Sequence, residues 1–149
     1  MGCTPLAWAA RNGHAEVVGV LLGRDDINPN KPSEEGRTPL SWAACHGHEE
    51  VVKMLLERDD VDPNRLDEDD LTPLWWAAYN GNEGVVKILL GRDDINPGKS
   101  DRNGWTPLLW AALNGQEGVV KLILERDDVN PSNSVNQVEH HSGMLLRTP

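Results

Sequence analysis

Thr4-Pro5-Leu6-Ala7-Trp8-Ala9-Ala10-Arg11-Asn12-Gly13-His14 decides the fold, because most of it returns three more times. Thr-Pro-Leu starts at Thr4, Thr38, Thr72 and Thr106, a constant step of 34 residues. In the same register stand Trp8, Trp42, Trp76 and Trp110, then Ala pairs from Ala9, Ala43, Ala77 and Ala111, then Gly13, Gly47, Gly81 and Gly115. A Val pair follows in each copy, and then Arg-Asp-Asp at Arg24, Arg58, Arg92 and Arg126. A fixed period of roughly 20 to 50 residues marks units that stack, since one unit cannot bury its own apolar face.

Each unit reads as helix, turn, helix, loop. Thr4 can cap the first helix through its hydroxyl, and Pro5 suits the first helical position, where no amide hydrogen is needed. The helix runs to Gly13, which can take the left-handed conformation that ends it. A second helix is expected from about Ala15 to Arg24, with Val17, Val18, Leu21 and Leu22 as an apolar stripe. Glu49 and Lys53, Glu83 and Lys87, and Glu117 and Lys121 sit four apart with Glu leading, the order that favours an exposed helical ion pair. Helices this short are not stable alone. Stacking supplies the missing burial, the Ala pairs allow close approach, and the recurring Trp supplies aromatic bulk in a chain with no Phe and one Tyr, Tyr79.

The remaining composition narrows the function classes. The chain of 149 residues carries a formal net charge of -10, spread through every repeat. A surface that acidic repels a phosphate backbone, so a neutral or basic protein surface is the expected partner and nucleic acid is not. No apolar run is long enough for a membrane span, and no signal peptide is evident in the first thirty residues. A cytoplasmic or nuclear location is expected, with Cys3 and Cys45 as reduced thiols.

Thr-Pro-Leu-x-x-Ala-Ala-x-x-Gly-His, followed by Val-Val and Leu-Leu, resembles the ankyrin repeat over about residues 2–137. The 34-residue step and the Arg-Asp-Asp-Ile-Asn-Pro-Asn loop resemble ankyrin arrays common in fungal proteins, often the recognition end of larger receptors. The resemblance implies an all-α solenoid of helix-turn-helix units joined by hairpin-like loops. It also implies a scaffold without enzymatic activity or cofactor, binding another protein through a concave face. Two departures stand out. The His usual after Thr-Pro-Leu is replaced by Ala7, Ser41, Trp75 and Leu109, and the Leu usual next is always Trp. The hydrogen-bond network of the usual His must therefore be replaced by another.

Four repeats are expected at 2–35, 36–69, 70–103 and 104–137, with 138–149 a degenerate tail or partial fifth repeat. Where a fifth Thr-Pro-Leu is due, the chain reads His140, His141 and Ser142. Solenoids need polar end caps. Their lack at both ends favours a fragment of a longer array over a fold-back lid of Met144, Leu145 and Leu146, and it allows self-association through the ends.

Comparing the four copies separates scaffold from freedom. The positions that change most are Cys3, Arg37, Leu71 and Trp105; Ala7, Ser41, Trp75 and Leu109; and Arg11, Cys45, Tyr79 and Leu113. The last two sets are four apart, on one face of the first helix. By resemblance to the family, that face and the preceding loop line the groove. Repeats 3 and 4 place large apolar residues there, so the expected partner-binding set is Arg37, Leu71, Trp75, Tyr79, Trp105, Leu109 and Leu113. Exposed together they would form the kind of patch that marks an interface. Trp75 and Leu109, at the usual His site, have filling the space between helices as the competing role. Tyr79, Leu113 and Trp105 are expected on the surface.

Other chemistries fit less well. Asp60, Asp62 and Asn64 alternate like the start of a calcium loop, but Arg65 and Leu71 occupy the sixth and twelfth positions, where Gly and Glu belong. Cys45, His46 and His48 lack a fourth zinc ligand at a suitable spacing. No phosphate loop or nucleophile–base spacing is present, and carboxylates copied in four loops read as architecture. The competing class is a structural or self-associating array without a specific partner groove.

Overall fold

The computed structural model describes residues 2–132. The end of the fourth repeat and the expected tail, with His140, His141, Met144, Leu145 and Leu146, lie outside the described residues. Among the described residues there are eight helices and no strand, in four pairs: α1 Pro5–Arg11 and α2 Ala15–Leu22; α3 Pro39–Cys45 and α4 Glu49–Leu56; α5 Pro73–Tyr79 and α6 Glu83–Leu90; α7 Pro107–Leu113 and α8 Glu117–Leu124. First helices pack in one row, α1 on α3 on α5 on α7, and second helices in another.

The caps follow the motif. Thr4, Thr38, Thr72 and Thr106 each accept, through Oγ1, the amide of the third helical residue at 3.0 to 3.2 Å, with Pro in the first turn. The Ala pairs of the central repeats are fully buried, which lets the first helices close on each other. Val18, Val52 and Val86 pack behind them with Leu55, Leu89 and Ile123 in one continuous core. The second helix ends at Leu22 rather than at Arg24, because Gly23 caps it and Arg24 turns outward onto Asp26. Of the Glu–Lys pairs, Glu117–Lys121 closes at 2.9 Å, while the carboxylates of Glu49 and Glu83 lie against Gly84 and Gly118 of the next repeat.

Three sets of polar bonds join one repeat to the next. Arg58 donates to the carbonyl of Leu22 at 3.1 Å, Arg92 to that of Leu56 at 3.1 Å, and Arg126 to that of Leu90 at 2.9 Å. These carbonyls lie at the C-terminus of the preceding second helix, where backbone acceptors lack intrahelical partners. Each guanidinium is held in place by the Asp two residues on, and Arg58 in turn keeps the Asp60 carboxyl below its usual range. The residue after the turn glycine makes the second set. His48 Nε2 donates to the Arg11 carbonyl at 2.8 Å, Asn82 to those of Ala44 and Cys45, and Gln116 to that of Tyr79. A carbonyl can only accept, so Nε2 of His48 carries its proton.

The third set is an asparagine ladder. Asn30 donates to the Asp60 carbonyl at 2.6 Å and accepts the Asp62 amide at 2.9 Å; Asn64 does the same with Asp94 and Asn96. The next rung falls at Gly98. A Cβ there would meet nothing within 4 Å, and its φ is not in the left-handed region. Gly98→Asn should therefore add the missing rung between repeats 3 and 4 and raise stability by about 1–2 kcal/mol. A denaturant midpoint measured by circular dichroism checks this, and an unchanged or lower midpoint counts against the ladder as a source of stability.

Candidate partner-binding face

The face begins with the loops that precede each first helix. Asp67 opens the third-repeat loop: its Oδ1 accepts the amides of Asp69 and Leu71 at 2.9 and 3.0 Å, and its own amide donates to the Leu71 carbonyl. Its Oδ2 accepts the indole Nε1 of Trp76 at 2.8 Å, pinning the loop to α5. Asp101 repeats the arrangement, with Asn103 and Trp105 amides at 2.9 Å and Trp110 Nε1 at 3.2 Å. These acid–indole bonds tie the loops of repeats 3 and 4 to the first helices that follow them.

Loop shape depends on one left-handed residue near each tip. Gly36 and Gly104 take it with φ of 78° and 88°, and Asp70 takes it with φ 62°. At position 36 only glycine fits, since a Cβ would lie 2.7 Å from the Glu68 amide nitrogen. That close approach lets the Glu68 amide donate to the Glu35 carbonyl at 3.0 Å, joining adjacent loops.

Repeat 2 departs from this scheme. Ser33 stands where Asp67 and Asp101 stand, its hydroxyl donates to Glu35, and the buried Trp42 Nε1 has no acceptor. Ser33→Asp should supply one and also accept loop amides, as Asp67 does. The expected gain is about 1 kcal/mol. Denaturant titration of the variant is the check. A loss of stability would mean that the added carboxylate does not reach the indole.

Along the first helices the recurring Trp residues form a spine, differently dressed in the two halves. In repeats 1 and 2 cations fill the gaps. Arg11 stacks over Trp8 and Trp42 at 5.2 and 5.1 Å, and Arg37 over Trp42 and Trp76 at 4.7 and 4.0 Å. Arg37 also lies 3.8 Å from the buried Asp67 carboxylate. In repeats 3 and 4 rings fill the gaps. Trp75 stacks on Tyr79 with centroids 4.9 Å apart, and both meet Trp110 edge-on at 5.9 and 5.6 Å. Trp105 lies 4.9 Å from Trp110. Leu71 belongs to the same cluster.

This corrects the expected surface patch. Leu71, Trp75 and Trp105 are buried, because the recurring Trp leaves a ring-sized space between first helices that they fill. Trp105, expected on the surface, is a core residue, and its replacement would report on stability as much as on binding. Tyr79 and Leu109 are half-buried at the edge of the cluster, and Leu113 is 42% exposed. Arg37 is held by two indoles. Of the seven expected residues, the structure groups all but Arg37 and Leu113 in or against one aromatic cluster. Sequence reading missed Asp67, Asp101 and the pairing role of Trp76 and Trp110; the available signal was an acid nine residues before the recurring Trp in two copies.

Among the described residues no group of three or more His, Cys, Asp or Glu is placed to hold a metal ion. His48, Asp60 and Asp62 are committed to bonds between and within repeats. No helix among the described residues is long and apolar enough to cross a membrane.

Two rows of short helices, joined by the same carbonyl-directed bonds at every junction, define a stacked helical-repeat protein. A family pattern described as "Ankyrin repeats (3 copies)" matches residues 1–67 and again 60–133. The chain belongs to the ankyrin repeat family, whose members are generally protein–protein interaction modules and typically non-catalytic. No curated protein matches the sequence.

Proposed function

We propose that this chain is a non-catalytic module that binds another protein through the groove formed by its first helices and their preceding loops, chiefly in repeats 3 and 4. One observation carries the reading: Tyr79 and Leu109 lie half-buried against a cluster of buried rings, and Leu113, one helical turn after Leu109, is 42% exposed. Anchors held by packed rings lose little freedom on binding, which favours affinity. Leu71, Trp75 and Trp105 support that surface from beneath. Glu68, Asp69 and Asp70 lie in the loop before α5, with Arg102 facing Asp69 and Asp70 at 3.9 Å, and the net charge of -10 suits a neutral or basic protein surface and disfavours nucleic acid. A cytoplasmic or nuclear setting, and a place within a larger receptor, accord with this role.

Affinity capture with identification of bound proteins, wild type beside Leu113→Glu, tests the proposal. Leu113 is exposed, so the substitution should leave the melting temperature nearly unchanged while removing the captured partner. A partner retained equally by both proteins would place the contact elsewhere.

A further inference from the structure

Each internal junction is built from the same three parts. A Val at the start of the second helix is buried to 1% exposure or less, at Val51, Val85 and Val119. A polar side chain after the turn glycine, His48, Asn82 or Gln116, donates back to the preceding first helix. An arginine, Arg58, Arg92 or Arg126, donates back to the preceding second helix. The outer face of repeat 1 presents the same three parts with nothing on them among the described residues. Val17 is 50% exposed, His14 is exposed, and the Arg24 side chain is 64% exposed.

The outer face of repeat 4 is the matching half. Leu124 is 46% exposed, whereas its counterparts Leu56 and Leu90 are each 8% exposed under the following repeat. The carbonyls of Leu113 and Leu124 stand at the positions that receive the polar side chain and the arginine at internal junctions.

We propose that the repeat-1 face of one copy seats on the repeat-4 face of another, so that chains stack head to tail by extending the junction already used inside each chain. His14 then donates to the Leu113 carbonyl and Arg24 to the Leu124 carbonyl, while Val17 is covered by α8 of the neighbour. The contact is heterologous, two different faces meeting, so it propagates instead of closing as a twofold dimer. It shares with the groove only Leu113, through its backbone carbonyl, which a side-chain substitution leaves in place, so the two readings are tested independently. The net charge of -10 opposes association, and salt screens that repulsion.

Sedimentation velocity on the full chain, from about 1 μM to 1 mM at low and moderate salt, tests it. Wild type should rise from the mass of one chain to two and beyond, more so at moderate salt. Val17→Glu and Leu124→Glu should each remain a single chain, since each spoils one face with a charge at an exposed position. An equimolar mixture of the two variants should give a species of two chains and stop there, because each variant retains the face that the other has lost. Circular dichroism melts confirm that both variants fold, and Val20→Glu, at a 74% exposed position, replaces Val17→Glu if that melt falls. A wild type that stays single throughout, a single variant that still grows, or a mixture that stays single overturns the proposal.

Discussion

Trp110→Ala should lower stability by about 3–5 kcal/mol, the range for emptying a buried indole site. Trp110 is 4% exposed, meets Trp75, Tyr79 and Trp105, and donates to Asp101. The variant opens a cavity between repeats 3 and 4 and leaves Asp101 Oδ2 without its indole donor. The equivalent Trp8 is half-buried with only Arg11 stacked on it among the cation contacts, so Trp8→Ala should cost about 1–2 kcal/mol. Urea unfolding followed by circular dichroism measures both. Equal losses at the two positions would show that the recurring Trp acts through packing within its own repeat, and that the ring cluster adds nothing.

Asp67→Ala should cost about 3 kcal/mol, since hydrogen bonds to a charged group are worth about 1.5–3 kcal/mol each and orphaned buried donors add to the loss. The Asp67 side chain is 1% exposed and serves two loop amides and the Trp76 indole, with Arg37 at 3.8 Å. Its removal frees the loop as well as the bond. A double-mutant cycle separates the two. Trp76→Phe should be clearly destabilising in the wild type and close to neutral once Asp67 is Ala, a coupling of about 1–2 kcal/mol. Additive losses would mean that the acid–indole bond contributes nothing beyond loop closure.

Much of the fold was legible because local chemistry and stacking demand the same residues. Thr38 and Pro39 start a helix by their own chemistry, and Gly47 ends one, so four copies in register left little choice of architecture. The face was less legible. Trp105 reads as a surface anchor, and Trp75 as either an anchor or a filler between helices, because large rings at variable positions usually mean recognition; what buries both is packing against Trp110, which no single repeat reveals. Asp67 was hidden for a related reason. It sits nine residues from Trp76 across a turn, and only the folded loop brings carboxylate and indole to 2.8 Å. Gly98 is the opposite case. Its break in the Asn series is visible in the chain, but that the series forms rungs between repeats is visible only in three dimensions.

The backward reach of the arginines has a consequence for how the chain is made. The carbonyls of Leu22, Leu56 and Leu90 are closed by side chains that lie 36 residues later. During synthesis each repeat therefore leaves the ribosome with its second helix unfinished, and waits for the next arginine to emerge. At common elongation rates that interval is roughly 2–7 s. Over that window the newest repeat is the loose end of the nascent chain, and order advances one unit behind translation.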